Sequence, residues 1–238
     1  VRTLYYPRLL GIFMQHQVFR MINIAAAIFA GLTGVLLAHR ERYDLVGAFA
    51  LAGCPAVGGG IIRDLVAGRS PLGVVLDPIN LVAVALLVLA AAIFFRVAPE
   101  RTRKQVEELN PSTDPRLLLF DTLGMGAYTV TAVLIAMQCN CEPLWLWGPL
   151  LAVVQNGGGG ILRDLLMGKG GSLAILKGTI YGEIAFVWGL LLSWFFIRYS
   201  EQSNFEQSEM VAAILLTILG VVLTRVFILR RGYTSPLL

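Results

Sequence analysis

The sequence predicts an all-α integral membrane protein: seven transmembrane helices, arranged as two inverted three-helix repeats plus a seventh helix, with the second and fifth helices broken at triple glycine. Three observations lead there: an apolar composition, seven apolar runs of spanning length, and one motif written twice. Of the 238 residues, 57% are hydrophobic and only 14% charged, and the mean hydropathy is +0.74. Soluble domains keep about a quarter of their residues charged, so lipid rather than water is the expected solvent.

An apolar helix needs about 20 residues to cross the hydrocarbon core. Charge-free runs near that length are Met21 to Ala38, Leu45 to Ile62, Pro78 to Phe95, Thr122 to Cys141 and Pro143 to Leu162. Two more tolerate one ionisable residue each, Gly178 to Ile197 with Glu183 and Met210 to Leu229 with Arg225. The longest polar stretch, residues 96–116, separates the first three runs from the others. Thirteen of the 19 Lys and Arg residues fall on one side of a seven-span chain. Positive loops stay cytoplasmic, which predicts an external N-terminus, a cytoplasmic C-terminus, and Trp145 and Trp147 near the outer interface. No cleavable leader is expected, since no small-residue cleavage pattern closes the first run.

The third observation is the stretch GGGIIRDLVAG at 58–68, which returns as GGGILRDLLMG at 158–168 with eight of eleven residues unchanged. Each copy lies near the end of the second run of a three-run block. An odd number of spans per block turns the second block upside down, so residues 18–98 and 116–198 are expected as inverted repeats and residues 208–231 as the added helix. Glycine costs a helix about 1 kcal/mol relative to alanine, so Gly58, Gly59, Gly60 and Gly158, Gly159, Gly160 are expected to unwind both spans. Non-helical backbone at membrane depth survives only when buried in protein or facing water, and its freed carbonyls suit a passing cation. Packing of helices through small residues is the competing reading.

Charges inside a span are costly and mark function by default, which singles out Arg63, Asp64, Arg163 and Asp164. Neighbours in a helix point about 100° apart, so each is expected to pair with another helix rather than with its neighbour. A purely structural ion pair remains the alternative. Glu183, near a helix end, reads as a pore carboxylate or as a snorkelling interfacial group. Asp77 and Lys177 correspond at the same offset with opposite charge. Gly178 and Gly182 form a small-xxx-small packing pattern.

Other classes of function find little support. Cys54, Cys139 and Cys141 make neither a zinc set nor a disulfide framework. His16 and His39 are the only histidines, and no nucleophile-base set accompanies them, so neither an enzyme nor a cofactor is expected. The glycine runs lack the Gly-Lys-Ser/Thr of a phosphate loop. Basic residues are scattered among the loops rather than gathered in a stripe, which argues against nucleic acid.

The paired motif, GGGIIRDLVAGRSPLG with GGGGILRDLLMG, resembles the signature of the prokaryotic branch of the trimeric intracellular cation (TRIC) channel family, also known as glycine-transporter-domain or UPF0126-type proteins. The likeness spans roughly residues 20 to 200. It implies a homotrimer in a cell (inner) membrane, each subunit passing potassium and other monovalent cations between the broken second and fifth helices. The ion pathway would then involve the two glycine triplets and the two Arg-Asp pairs. Departures accompany it: Pro71 in the first copy has no proline counterpart in the second, which runs Gly171-Ser172 there, and Pro78 to Phe95 lacks the lysine motif that animal members carry for phosphoinositides. The fourth span has no Arg or Lys to sense voltage. A secondary transporter of a small solute such as glycine would use the same architecture.

Overall fold

The computed structural model describes residues 17–108, 114–168, 180–199 and 207–234. The described chain is all-helical: α1 (Gln17–Arg40), α2 (Leu45–Gly53), a π-helical turn (Cys54–Gly58), α3 (Gly59–Val66), α4 (Gly73–Leu76), α5 (Ile79–Val97), α6 (Glu100–Glu107), α7 (Pro115–Gln138), α8 (Leu144–Leu166), α9 (Gly182–Tyr199) and α10 (Gln207–Arg231). Here α2, the π turn and α3 form one rod, opened by Asp44, whose carboxylate accepts from the Gly47 amide at 2.7 Å. That bond satisfies a donor the first turn leaves free.

Six helices among the described residues are long and apolar enough to cross a membrane: Arg20–Arg40, Leu45–Val66, Ile79–Val97, Leu117–Gln138, Gly182–Tyr199 and Ser208–Arg231. The protein is therefore a multi-span membrane protein. The remaining long helix, α8, has 23 residues but carries Gln155, Asn156, Arg163 and Asp164 besides its glycines. Lys169, Ser172, Lys177 and Gly178, like His16, lie outside the described residues, and with them one member each of the Asp77–Lys177 correspondence and of the Gly178–Gly182 pattern.

The helix α7 is the hub: 72% of its span is buried, against 11% for α5. Val130, Val133, Leu134, Leu151, Leu192, Ile214 and Val221 join α7 to α8, α9 and α10 in one core. A second core, with Ala27, Val35, Ala52, Val84 and Val88, joins α1, α2 and α5. Between them Ala26 and Ala30 of α1 meet Ala127 and Tyr128 of α7. Val82, Leu86, Leu89 and Ile93 of α5 recur at helical spacing and stay exposed, as do Leu215, Leu219, Leu223 and Phe227 of α10. Such stripes suit lipid contact.

Neither glycine run breaks its helix, which corrects the expectation from sequence. Gly58 (φ −61°, ψ −42°) and Gly59 (φ −61°, ψ −38°) are right-handed helical, and Gly158, Gly159 and Gly160 sit inside an uninterrupted α8. An unbroken helix keeps its backbone hydrogen bonds within the segment, the condition lipid imposes. The departure from α geometry is the π turn just before Gly59. Pro55 lies there and has no N–H to donate, which favours a local widening of the helix.

Candidate functional site

The glycines serve close approach. A β-carbon on Gly59 would collide with the Gln155 carbonyl oxygen, and one on Gly159 would lie 2.5 Å from the Cys54 carbonyl oxygen and 2.8 Å from Pro55 Cα. Gly58 faces Leu162 at 3.0 Å and Gly158 faces Ile62 at 2.9 Å by the same construction. As residue numbers rise along α3, those of its partners on α8 fall. The two motifs therefore cross antiparallel, backbone against backbone, and only glycine fits.

This crossing sends the two Arg-Asp pairs to opposite sides. On one side lies a cavity of about 250 Å³, lined by residues of α1, the π turn, α3 to α5, α7 and α8. Arg20 and Asp77, half exposed, form an ion pair at its rim, Nε to Oδ2 3.3 Å. Its deep end is made by Arg63, Tyr128, Thr131 and Gln155, all buried. Gly60 also lines it, and a β-carbon there would meet only Arg63 Nη2, at 3.8 Å.

Arg63 spans the deep end. Its Nε donates to Asp64 Oδ1 at 2.9 Å and its Nη1 to Gln155 Oε1 at 2.9 Å. Gln155 Nε2 in turn donates to Thr131 Oγ1 at 2.9 Å. The other carboxylate oxygen of Asp64 accepts from the Gly73 amide at 2.7 Å and lies 3.5 Å from Arg69 Nη1. Both charges, 8% and 1% exposed, thus have close partners, as buried charges must. The expectation that each would avoid its sequence neighbour is overturned: Arg63 bonds Asp64 directly, and Arg163 bonds Asp164 at 3.0 and 2.9 Å. The side chains of Arg and Asp are long enough to curl together across the 100° between them.

Arg163 and Asp164 lie beyond the crossing. Arg163 is 23% exposed, and its charge acts on Cys54. Glu183 is exposed in the first turn of α9, where a carboxylate suits the helix N-terminus. The residues that sequence reasoning missed are Tyr128, Thr131 and Gln155. Tyr128 Oη donates to the Ala56 carbonyl of the π turn at 2.7 Å, tying that turn to α7. A glutamine inside an apolar run was a readable signal; a tyrosine and a threonine were not.

The sequence pattern of the family described as Glycine transporter matches residues 20–96 and 118–197. A UPF0126 membrane protein of Deinococcus radiodurans is 30% identical over 167 residues, 69% of this chain and 70% of the relative. The UPF0126 inner membrane protein YadS of Escherichia coli K12 is 30% identical over 168 residues, 71% and 73% of the two chains. This chain belongs to the glycine-transporter (UPF0126) family. Among solved structures, the TRIC trimeric intracellular cation channel orthologue from Rhodobacter sphaeroides superposes with a TM-score of 0.71 at 26% identity, covering 91% of this chain and all (100%) of that one. A second TRIC cation channel gives 0.73 at 20% identity, covering 93% and 97%. A prokaryotic TRIC channel crystallised in 0.5 M KCl gives 0.68 at 18%, covering 90% and 97%. This UPF0126 family member therefore has the TRIC fold, and the resemblance read from its paired motif holds.

Proposed function

We propose that this protein is a passive channel for monovalent cations, potassium among them, held closed in the state described. The observation that carries the reading is the cavity that ends against Arg63, Gln155 and the glycine crossing, on a fold shared over 91% of the chain with a cation channel orthologue. In this reading α8 is a fifth membrane span, giving seven in all, with inverted repeats at 18–98 and 116–198 and the N-terminus outside. Three such chains assemble as a homotrimer in the inner membrane, one pore in each.

The ion path passes from the Arg20–Asp77 rim to the crossing and leaves beside Arg163 and Asp164. The guanidinium of Arg63 opposes a cation both by charge and by filling the deep end. Opening requires the Arg63–Gln155 bond to part. The amide oxygen of Gln155, the hydroxyls of Thr131 and Tyr128 and the carbonyl of Ala56 then offer neutral oxygens that replace part of the hydration shell, as oxygen dipoles do in cation filters. The glycines' part is to let the helices meet closely enough to present these groups, and no cofactor is required.

The test is a planar-bilayer recording of purified protein in potassium chloride, beside a Gly60→Phe variant. The wild type is expected to give discrete steps. Gly60→Phe, with room for its ring only in the cavity, is expected to abolish them while the protein elutes and melts as wild type. The family description and the arginines of the cavity favour a second reading, carrier transport of glycine. Saturable glycine uptake into liposomes without unitary steps would replace the channel by that carrier.

A further inference from the structure

The face of α7 that lines the cavity continues past the crossing and ends on a carboxylate. Tyr128, Thr131, Ile135 and Gln138 all line the cavity. Counted from Asp121 they lie 7, 10, 14 and 17 positions on, which at 100° per residue places all five within an arc of about 100°. Asp121 therefore points along the same face, about 10 Å beyond Tyr128 at 1.5 Å per residue. It lies within the span Leu117–Gln138, where an ionised group needs a partner.

Its partners are poor. Among the described residues the nearest cation is Arg225 of α10, Nη2 to Oδ2 3.9 Å, and the Asp121 side chain is 33% exposed. Among the described residues Asp121 accepts no hydrogen bond. Arg225 itself is committed elsewhere: Nη1 donates to the Ile180 carbonyl at 3.1 Å and the guanidinium lies 4.4 Å over the Tyr181 ring. Arg163 is the other cation whose charge acts on Asp121. The carboxylate is thus positioned by α10 without being consumed by it, unlike Asp64, which is filled by Arg63, Arg69 and the Gly73 amide.

We propose that Asp121 is a monovalent-cation site on the far side of the glycine crossing and selects cations over anions there, with Arg225 as its positioning residue. This rests on the channel reading given above. A fixed carboxylate in a low-dielectric passage raises the local cation concentration, and salt screens that gain.

The experiment compares wild type, Asp121→Asn and Asp121→Glu in bilayers, with potassium chloride varied separately in the two baths. Asp121→Asn is expected to lower unitary conductance by a factor of about three to ten at low salt, to converge on wild type at high salt, and to shift the reversal potential toward chloride. Asp121→Glu should keep most of the wild-type values. Conductance and selectivity of Asp121→Asn equal to wild type at low salt, or a loss that is the same at every salt concentration, would overturn the assignment and leave a structural Asp121–Arg225 contact. A second arm does not need conduction. Thallium(I), added to detergent-solubilised protein, is expected to raise the melting temperature of wild type and of Asp121→Glu but not of Asp121→Asn; equal shifts in all three overturn the proposal. A silent wild type would remove the channel reading alone, with the thallium arm still deciding Asp121.

Discussion

The two copies of the motif share eight of eleven residues and still build different walls. Three residues ahead of the triplets the copies diverge, Pro55-Ala56-Val57 against Gln155-Asn156-Gly157. In the first copy the proline, lacking a donor, sits in a π turn whose Ala56 carbonyl is taken by Tyr128. In the second the helix runs on, and Gln155 reaches across to Arg63. Their arginines differ accordingly: Arg63 is bonded to Asp64 and Gln155, whereas Arg163 bonds only Asp164 among the described residues and is more exposed. The shared residues fix the crossing, and the unshared ones decide which side is latched.

The sharpest way to break this comparison is to remove what the copies share. Gly59→Leu and Gly159→Leu each force a side chain into backbone, and overpacking costs ~1–3 kcal/mol even where neighbours are movable side chains. Both are expected to abolish a monodisperse peak in size-exclusion chromatography. If either variant folds as well as Gly60→Phe, close approach is not the role of the triplets.

Next in size is the difference between the arginines. Removing one partner of a buried pair costs ~3–5 kcal/mol, so Arg63→Met is expected to lower the melting temperature by many degrees. Arg163→Met, at a quarter exposed, should lose less than half as much. Equal losses in a thermal melt would dissolve the distinction.

A smaller effect belongs to the latch. Gln155→Leu removes a hydrogen bond to a charged group, worth ~1.5–3 kcal/mol, and is expected to raise open probability in bilayer records while lowering the melting temperature modestly. Pro55→Ala, its repeat mate, should change stability by under ~1 kcal/mol and leave open probability nearly unchanged. A closed-locked Gln155→Leu channel would reverse the assignment of the latch.

The least effect concerns a reporter beyond the first copy. Burial pushes the Cys139 thiol above its ordinary value of 9.0, and Arg69 pulls it partly back. A raised folded value favours the neutral thiol, so its contribution to stability is present below the unfolded value and is lost as pH rises through the folded one. Arg69→Gln is expected to slow maleimide labelling of Cys139 at pH 8 by a few-fold, because thiolate is the reactive form. Unchanged labelling would separate Cys139 from the first copy's charges.

Much of the fold was legible because lipid leaves few options: among the described residues, most of each apolar run of spanning length lies in a helix, and the Arg-Asp pairs were marked by their cost. The glycine triplets misled because intrinsic propensity is a weak prior. A loss of about 1 kcal/mol per glycine is smaller than what two helices gain by packing backbone to backbone along a whole turn. Propensity read one helix at a time does not see the partner. The true irregularity had a visible cause in Pro55, inside an otherwise apolar run. Gln155 was visible too, one position before Asn156, but its bond to Arg63 depends on an antiparallel crossing that a linear string does not encode.

The hydroxyl of Tyr128 on the Ala56 carbonyl carries a mechanical implication. It fastens the π turn of the Leu45–Val66 span to α7, the most buried of the six spans among the described residues, so torsion at Pro55 is delivered to α7 as sideways load. Whatever bends the second helix therefore also shifts Thr131, three residues along that rod, and both walls of the passage move in the same stroke.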